Sequence, residues 1–316
     1  MFKNLTLYRI GPGWPASLTA LEHSIAKTPF VECGSTQPMS CGWVPPRGKA
    51  QGALVETVGG HWLLTLMVER KLLPAAVVRR RTDELAAQVE RDSGRKPGKT
   101  LRRELQEQAT LELLPRAFTK RAEFRVWIDA RHQRLMVDAS SAARADEVVA
   151  ELLKAVDGLA LAPLQTAQTP ATTMADWLLE GEPPAAFTVD RECELKADDE
   201  SKAVVRYARH RLDTDEVREH IRSGKRPTRL ALTWQGRVSF ALNDAGQLRR
   251  IAFLDVVFEN RPSRGDADDG FDADAAIATG ELSLLLPELL EALGGEQVPG
   301  ESPAAPAETA PEPIAA

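Results

Sequence analysis

The stretch PAAVVRRRTDELAAQVERDSGRKPGKTLRRELQEQATLELLP, residues 74–115, decides how the rest of the chain is read. Val78, Thr82, Leu85 and Val89 recur at helical spacing. After Gly94 to Gly98 a second stripe runs through Leu101, Leu105, Ala109 and Leu113 until Pro115 stops it. Two amphipathic stripes separated by a glycine-bounded turn predict an antiparallel helical hairpin. The flanking patterns are of β type, so the hairpin is expected as an arm, residues 74–121, inserted into a mixed sheet.

Upstream, Phe2 to Ile10 alternates with period 2 and predicts a strand with one core face. Ala16 to Lys27 reads as a helix with Leu18, Leu21 and Ile25 on one stripe. Cys41-Gly-Trp-Val-Pro-Pro-Arg47 carries two prolines, which remove backbone donors and restrict the preceding residue, and an ordered loop is expected there. Ala53–Val58 and His61–Glu69 read as a β-hairpin over Gly59-Gly60. Downstream, β pattern resumes at Ala122–Asp129 and Arg134–Asp138, and a helix is expected at Ala142–Val156. Residues 1–73 and 122–165 thus form a central α/β domain, and Pro163 to Pro170 reads as a linker.

A second α/β lobe, residues 166–296, opens with a helix near Met174–Leu179 and short strands at Ala186–Val189 and Ala203–Tyr207. Asp213 is expected to cap a helix to about Arg222. Strands at Arg229–Trp234, Arg237–Leu242 and Leu248–Asp255, joined by turn sequences, form a meander. Phe271–Leu293 is a closing helix, broken or kinked near Pro287. Residues 297–316 are rich in Pro, Ala and Glu and are expected to be disordered. The fold class is α+β.

Charge is polarised along the chain. Arg70–Arg125 holds fifteen Lys or Arg against eight Asp or Glu, inside a protein of formal net charge −6. Asp255–Ala316 holds fourteen carboxylates against only Arg261 and Arg264. A concentrated basic surface raises the local density of phosphate whatever the total charge, so a nucleic-acid partner is the first hypothesis. On the arm, Arg79, Arg80 and Arg81 span too much of a helix for all three to face one surface, whereas Lys99, Arg102 and Arg103 share a face. Arg95 and Lys96 lie in the interhelix turn. A second run comprises Arg206, Arg209, Arg211, Arg218, Arg222, Lys225, Arg226 and Arg229. Arg209 and Arg211 point to one side if extended, and Lys225-Arg226 is read as a turn before a strand. For the arm, the alternative is a solvated charged helix whose cations are neutralised by internal ion pairs through Asp83, Glu84, Glu104 and Glu107.

Catalytic signatures fail on inspection. Gly94-Arg-Lys-Pro-Gly98-Lys99-Thr100 has three residues between its glycines where a phosphate loop has four, and it follows a helix. Asp266, Asp268, Asp269, Asp272 and Asp274 lack calcium-loop spacing and read as a solvated acidic loop. The five histidines and three cysteines show no zinc spacing, and no nucleophile elbow appears. No enzyme activity, metal or cofactor is therefore expected. No run is long enough to span a membrane, and a cytoplasmic location is expected.

Phe2-Lys-Asn-Leu5 with Tyr8-Arg9, Cys41-Gly-Trp-Val-Pro-Pro46, Leu113-Leu-Pro-Arg-Ala-Phe118, Trp127-Ile-Asp129, and Phe271-Asp-Ala-Asp274 with Thr279-Gly-Glu-Leu282 resemble the recombination-associated protein RdgC family, collinearly from about residue 1 to 296. The resemblance implies a bacterial nucleoid-associated protein that forms a ring-shaped homodimer around double-stranded DNA and restrains the recombinase RecA. Binding of single strands is left open. It also implies basic residues lining the hole. Phe118 matches a phenylalanine that docks into the partner subunit, the alternative being that it packs beneath its own hairpin. Arg95 matches a basic residue of the tip. Arg209-His210 stands where the family has Lys-Gln, so charge is kept at the first position and altered at the second. A protein-interaction scaffold and a DNA-processing enzyme remain the competing classes.

Overall fold

The computed structural model describes residues 1–49, 51–181, 183–259 and 267–297. Strand β1 (Thr6–Ile10) opens the chain, and it corrects the expectation of a single core face: Thr6, Leu7, Tyr8 and Ile10 are all buried. Near-continuous burial marks a strand covered on both sides. Helix α1 (Leu18–Ile25) starts at Ser17, whose hydroxyl accepts the Ala20 N–H, and buries Leu21 and Ile25.

Strand β2 (Met39–Val44) overturns the loop expected at Cys41. The prolines do exclude regular structure, but only from Pro45 onward. Strands β3 (Glu56–Val58) and β4 (His61–Lys71) pair across Gly59-Gly60, both with positive φ, as a two-residue primed turn requires. Helices α2 (Ala75–Ser93) and α3 (Lys99–Leu113) follow, then β5 (Thr119–Asp129), β6 (Arg134–Val137) and α4 (Ala142–Ala155). The antiparallel strand order is β2-β4-β5-β6. The segment 72–118 therefore links two strands that are hydrogen-bonded neighbours from Trp62↔Ile128 to Lys71↔Thr119.

The segment read as a linker is partly ordered, carrying β7 (Leu161–Pro163) and β8 (Gln165–Thr166). Helix α5 (Pro170–Glu180) has Thr169 as its N-cap and places Pro170 at the first position, where its missing N–H costs nothing. Strand β9 (Phe187–Ala197) runs well past the expected Val189 and pairs with β10 (Val204–Ala208). Helix α6 (Asp215–Arg222) is not capped by Asp213: its N-cap is Thr214, and the Asp213 carboxylate accepts Arg211 instead. Strand β11 (Lys225–Trp234) begins earlier than expected and includes Lys225-Arg226. With β12 (Val238–Asn243) and β13 (Leu248–Phe253) it completes a five-stranded sheet of order β10-β9-β11-β12-β13. Helix α7 (Ala267–Ala292) runs through Pro287, so of the expected break or kink the break does not occur, and β14 (Glu296–Gln297) pairs with β8.

Two compact units result. Of the described residues, one holds those of 10–161 with 267–272, and the other holds residues 1–9 with the remainder. The first residues belong with the second unit because Leu5 bridges Leu248 and the Ile251 N–H donates to the Lys3 carbonyl. In that unit α7 buries Leu282, Leu285, Leu286 and Leu289. It is tied to the meander by Trp234 Nε1–H donating to Glu288 and by the Arg237–Glu281 pair. Among the described residues the protein is mixed α+β with seven α-helices, none long and apolar enough to cross a membrane. The expectation of a disordered tail falls on residues outside the described ones, apart from Gln297.

Candidate nucleic-acid interface

In the first unit, the two helices after β4 pack along Val78, Thr82 and Ala86 of α2 and Leu105 and Ala109 of α3, all buried. Leu101 at the far end of the predicted stripe is exposed. Helix α2 ends on Gly94 with φ 70°, where its N–H caps the Glu90 carbonyl and turns the chain toward α3.

The cations of this pair fall into two groups. Those on the shaft, Arg79 apart, are internally matched: Arg80 with Glu84, Arg81 with Glu84 and Glu112, Arg102 with Asp83 across the helices, and Arg103 with Glu107. Of the expected shared face, Arg102 thus turns toward α2 while Arg103 points outward, 83% exposed. Around the turn, Arg91, Arg95, Lys96 and Lys99 are exposed and form no ion pair among the described residues, and neither does Arg79. Arg91 was not singled out in the sequence, although its place one turn before Gly94 puts it at the tip.

At the foot of the helices, the Leu72 N–H donates to the Phe118 carbonyl at 2.7 Å, and Lys71 Nζ donates to the Leu114 carbonyl at 2.9 Å. These bonds fix the backbone while the Phe118 ring stands 84% exposed beside half-exposed Leu72. Phe118 therefore does not pack beneath its own hairpin. On the same pair of helices a groove of about 400 Å³ is lined by Ala76, Val77, Arg80, Arg81, Glu84 and Leu113.

In the second unit the sheet has one face covered by α5 and α6. Cys193, Leu195, Leu230, Leu232, Trp234 and Leu242 are buried, and burial pushes the Cys193 thiol up to about 12. The opposite face is open and charged. Arg206, Glu194, Arg229 and Asn243 lie in register across four strands, and Lys196 and Arg226 form the next row. Glu194 is held below the usual carboxylate range by the Arg206 guanidinium, with help from Thr228 and Arg229. Arg226 lies 3.5 Å from Asp198.

The structure thus divides the second basic run. Arg206, Arg226 and Arg229 share the open face. Lys225 points the other way, with Nζ 3.2 Å from His220 Nδ1, because Lys225 and Arg226 are consecutive on a strand and not in a turn. Arg222 is exposed on α6, and Arg218 of the same helix pairs with Asp215. Arg209 has φ 55°, so the extended arrangement expected to align it with Arg211 does not exist. Arg211 instead pairs with Asp213 at 2.5 Å. The His210 ring lies 5.4 Å from that of Tyr207.

Of the acidic cluster, the described members Asp268, Asp269, Asp272 and Asp274 lie on α7 and not in a loop. Asp272 pairs with Arg47, which also pairs with Glu56 and lies over the Phe271 ring. No group of three or more His, Cys, Asp or Glu side chains is disposed to hold a metal ion among the described residues.

Residues 1–296 match a family model described as "Putative exonuclease, RdgC". The chain is 47% identical to a recombination-associated protein RdgC of Dechloromonas aromatica over 301 residues, covering 94% of this chain and 98% of the relative. It is 50% identical to the protein of that name from Cupriavidus pinatubonensis over 297 residues, 94% of this chain and 99% of the relative. With that of Bordetella pertussis the identity is 43% over 297 residues, again 94% and 99%.

Proposed function

The chain belongs to the RdgC family, and we propose that it is a nucleoid-associated protein that binds duplex DNA without sequence preference, closes around it as a homodimeric ring, and thereby restrains RecA. The observation that carries the reading is the contrast along the two helices. Four shaft arginines, Arg80, Arg81, Arg102 and Arg103, are matched by carboxylates and only Arg79 is not, whereas Arg91, Arg95, Lys96 and Lys99 at the turn are all exposed and unmatched. Unmatched cations on a projecting turn are free to neutralise phosphates and release counterions, an interaction blind to base sequence.

The open sheet face of the second unit supplies further cations in Arg206, Arg226 and Arg229. Their partners Glu194 and Asp198 do not disqualify them, because exposed ion pairs are worth at most about 1 kcal/mol and exchange readily for a phosphate. Exposed Phe118 supports self-association, with the groove along Ala76, Val77 and Leu113 as a receptor in a two-fold pair. A closed ring would then slow dissociation without adding base contacts and obstruct access of a recombinase filament to the duplex.

Titrating salt tests the DNA reading. The logarithm of the affinity is expected to fall against the logarithm of salt concentration by about 0.9 per phosphate contacted, equally for unrelated sequences. Salt-insensitive or sequence-selective binding would overturn it. The same mixtures, supplied with end-labelled duplex and Mg²⁺, would assign an exonuclease instead if the label is released progressively.

A further inference from the structure

The open face of the second sheet holds a concavity of about 590 Å³. Ala231, Ser239 and Ala241 line it together with three arginines, Arg191, Arg209 and Arg250, and two carboxylates, Asp190 and Glu192. It is hollow because Ala231 and Ala241 are paired across β11 and β12, and neither fills the pleat. Small side chains leave the backbone approachable while the guanidinium groups around it concentrate positive charge.

Two features of the backbone set Arg209 and Arg250 apart. Arg209 and Arg250 have φ of 55° and 52°, a left-handed conformation that disfavours residues bearing a Cβ and persists only where the surroundings enforce it. Arg250 also lies inside a register irregularity of β13, between Arg249 opposite Ala241 and Ala252 opposite Ser239, and a bulge re-aims the side chain it carries. Arg191 and Arg209 form no ion pair among the described residues, and Arg250 is held by Glu192 at 2.6 Å. The Arg250 guanidinium is the main cause holding Glu192 below the usual carboxylate range, with Arg229 and Arg209 adding to it. Asp190 accepts the Thr233 hydroxyl at 2.9 Å.

We infer that this concavity seats one backbone phosphate of the nucleic acid, with Arg191 and Arg250 joining Arg209 as its contacts. The inference rests on the DNA-binding reading above and adds residues to it that lie outside the basic run from Arg206 to Arg229. Glu192 acts as the resident counter-charge that holds Arg250 in place until a phosphate replaces it.

The test compares salt dependence of duplex binding in the parent protein, an Arg191→Gln/Arg250→Gln double variant and a Ser239→Glu variant, with Lys154→Gln on α4 as a charge control. The double variant is expected to lower the log–log slope by about 0.9, one phosphate, and to weaken binding about tenfold at moderate salt. Ser239→Glu, which sets a carboxylate in the hollow and leaves every arginine in place, is expected to weaken binding at least as much, so the concavity is still tested if the double variant fails to fold. Lys154→Gln is expected to change nothing. Parent-like slope and affinity in both variants would overturn the cradle while leaving DNA binding intact. Absence of salt-dependent binding by the parent would overturn the DNA reading itself and the cradle with it.

Discussion

Gly42 sits against the backbone of Phe30: a Cβ built on it would lie 2.4 Å from the Phe30 Cα and 2.5 Å from its nitrogen. That approach lets Trp43 donate to the Thr28 carbonyl and accept from the Phe30 N–H, anchoring the segment before β2. Gly42→Ala is expected to destabilise by about 3 kcal/mol, at the upper end of overpacking costs because the clash is with backbone, read as a lowered urea midpoint. Two prolines made a loop the natural reading of Cys41–Arg47. What makes its first half a strand is antiparallel pairing with β4 from Met39↔Arg70 to Val44↔Thr65, with Pro29 and Phe30 closing on its other edge, and local pattern cannot reveal such partners. Glu69 on β4 is a second such case. Buried, it accepts the Cys33 N–H at 2.6 Å and pairs with Arg121 at 2.9 Å, and these donors hold it at about 2, against an ordinary 4.5. Between those values the unfolded chain binds the extra proton, so the stability Glu69 contributes is complete above about 4.5 and is lost as pH falls toward about 2. Urea unfolding at a series of pH values through that window is expected to show a shallower acid loss in Glu69→Gln than in the parent.

At the scale of elements, the helical pair α2 and α3 was the most legible part of the chain. Its two apolar stripes and glycine-bounded turn placed α2 and α3 within a residue or two, since helical periodicity sustained over four turns has few competing readings. Which cations are neutralised was not legible, because Arg81 meets Glu112 and Arg102 meets Asp83 only once the helices have a mutual phase. Strand β9 was missed from Asp190 onward. Yet the signal was present: Glu192, Glu194 and Lys196 alternate with Cys193, Leu195 and Ala197, charged on the open face and apolar on the covered one. The division into tip and shaft makes a prediction. Arg95→Gln, Lys96→Gln and Lys99→Gln together are expected to reduce the salt slope of DNA binding by about 0.9 for each phosphate they contact, at unchanged helix content. Arg80→Gln with Arg103→Gln is expected to reduce it less, because each guanidinium first has to leave its own carboxylate. Equal effects of tip and shaft on slope would show that the internal pairs do not matter to binding.

For the whole molecule, the informative quantity is the ring of Phe118, an aromatic side chain 84% exposed on a backbone pinned by Leu72 and flanked by the Lys71–Leu114 bond. A large apolar group held out on a rigid support loses little conformational entropy when it is buried, which suits an anchor at an interface between copies. Under the ring reading, encounter with DNA depends on the cations and retention depends on closure, so the two should separate. Phe118→Ala is expected to cost the dimer about 2 kcal/mol, roughly thirtyfold in its dissociation constant, measurable by sedimentation equilibrium. Initial binding to short linear duplex should hardly change, because no cation is lost. Retention on closed-circular DNA should fall toward that on linear DNA, since an unclosed pair can leave a circle sideways as easily as a line. If the variant keeps the parent's preference for circles, closure does not run through Phe118; if neither protein distinguishes circles from lines, the DNA is gripped without being encircled.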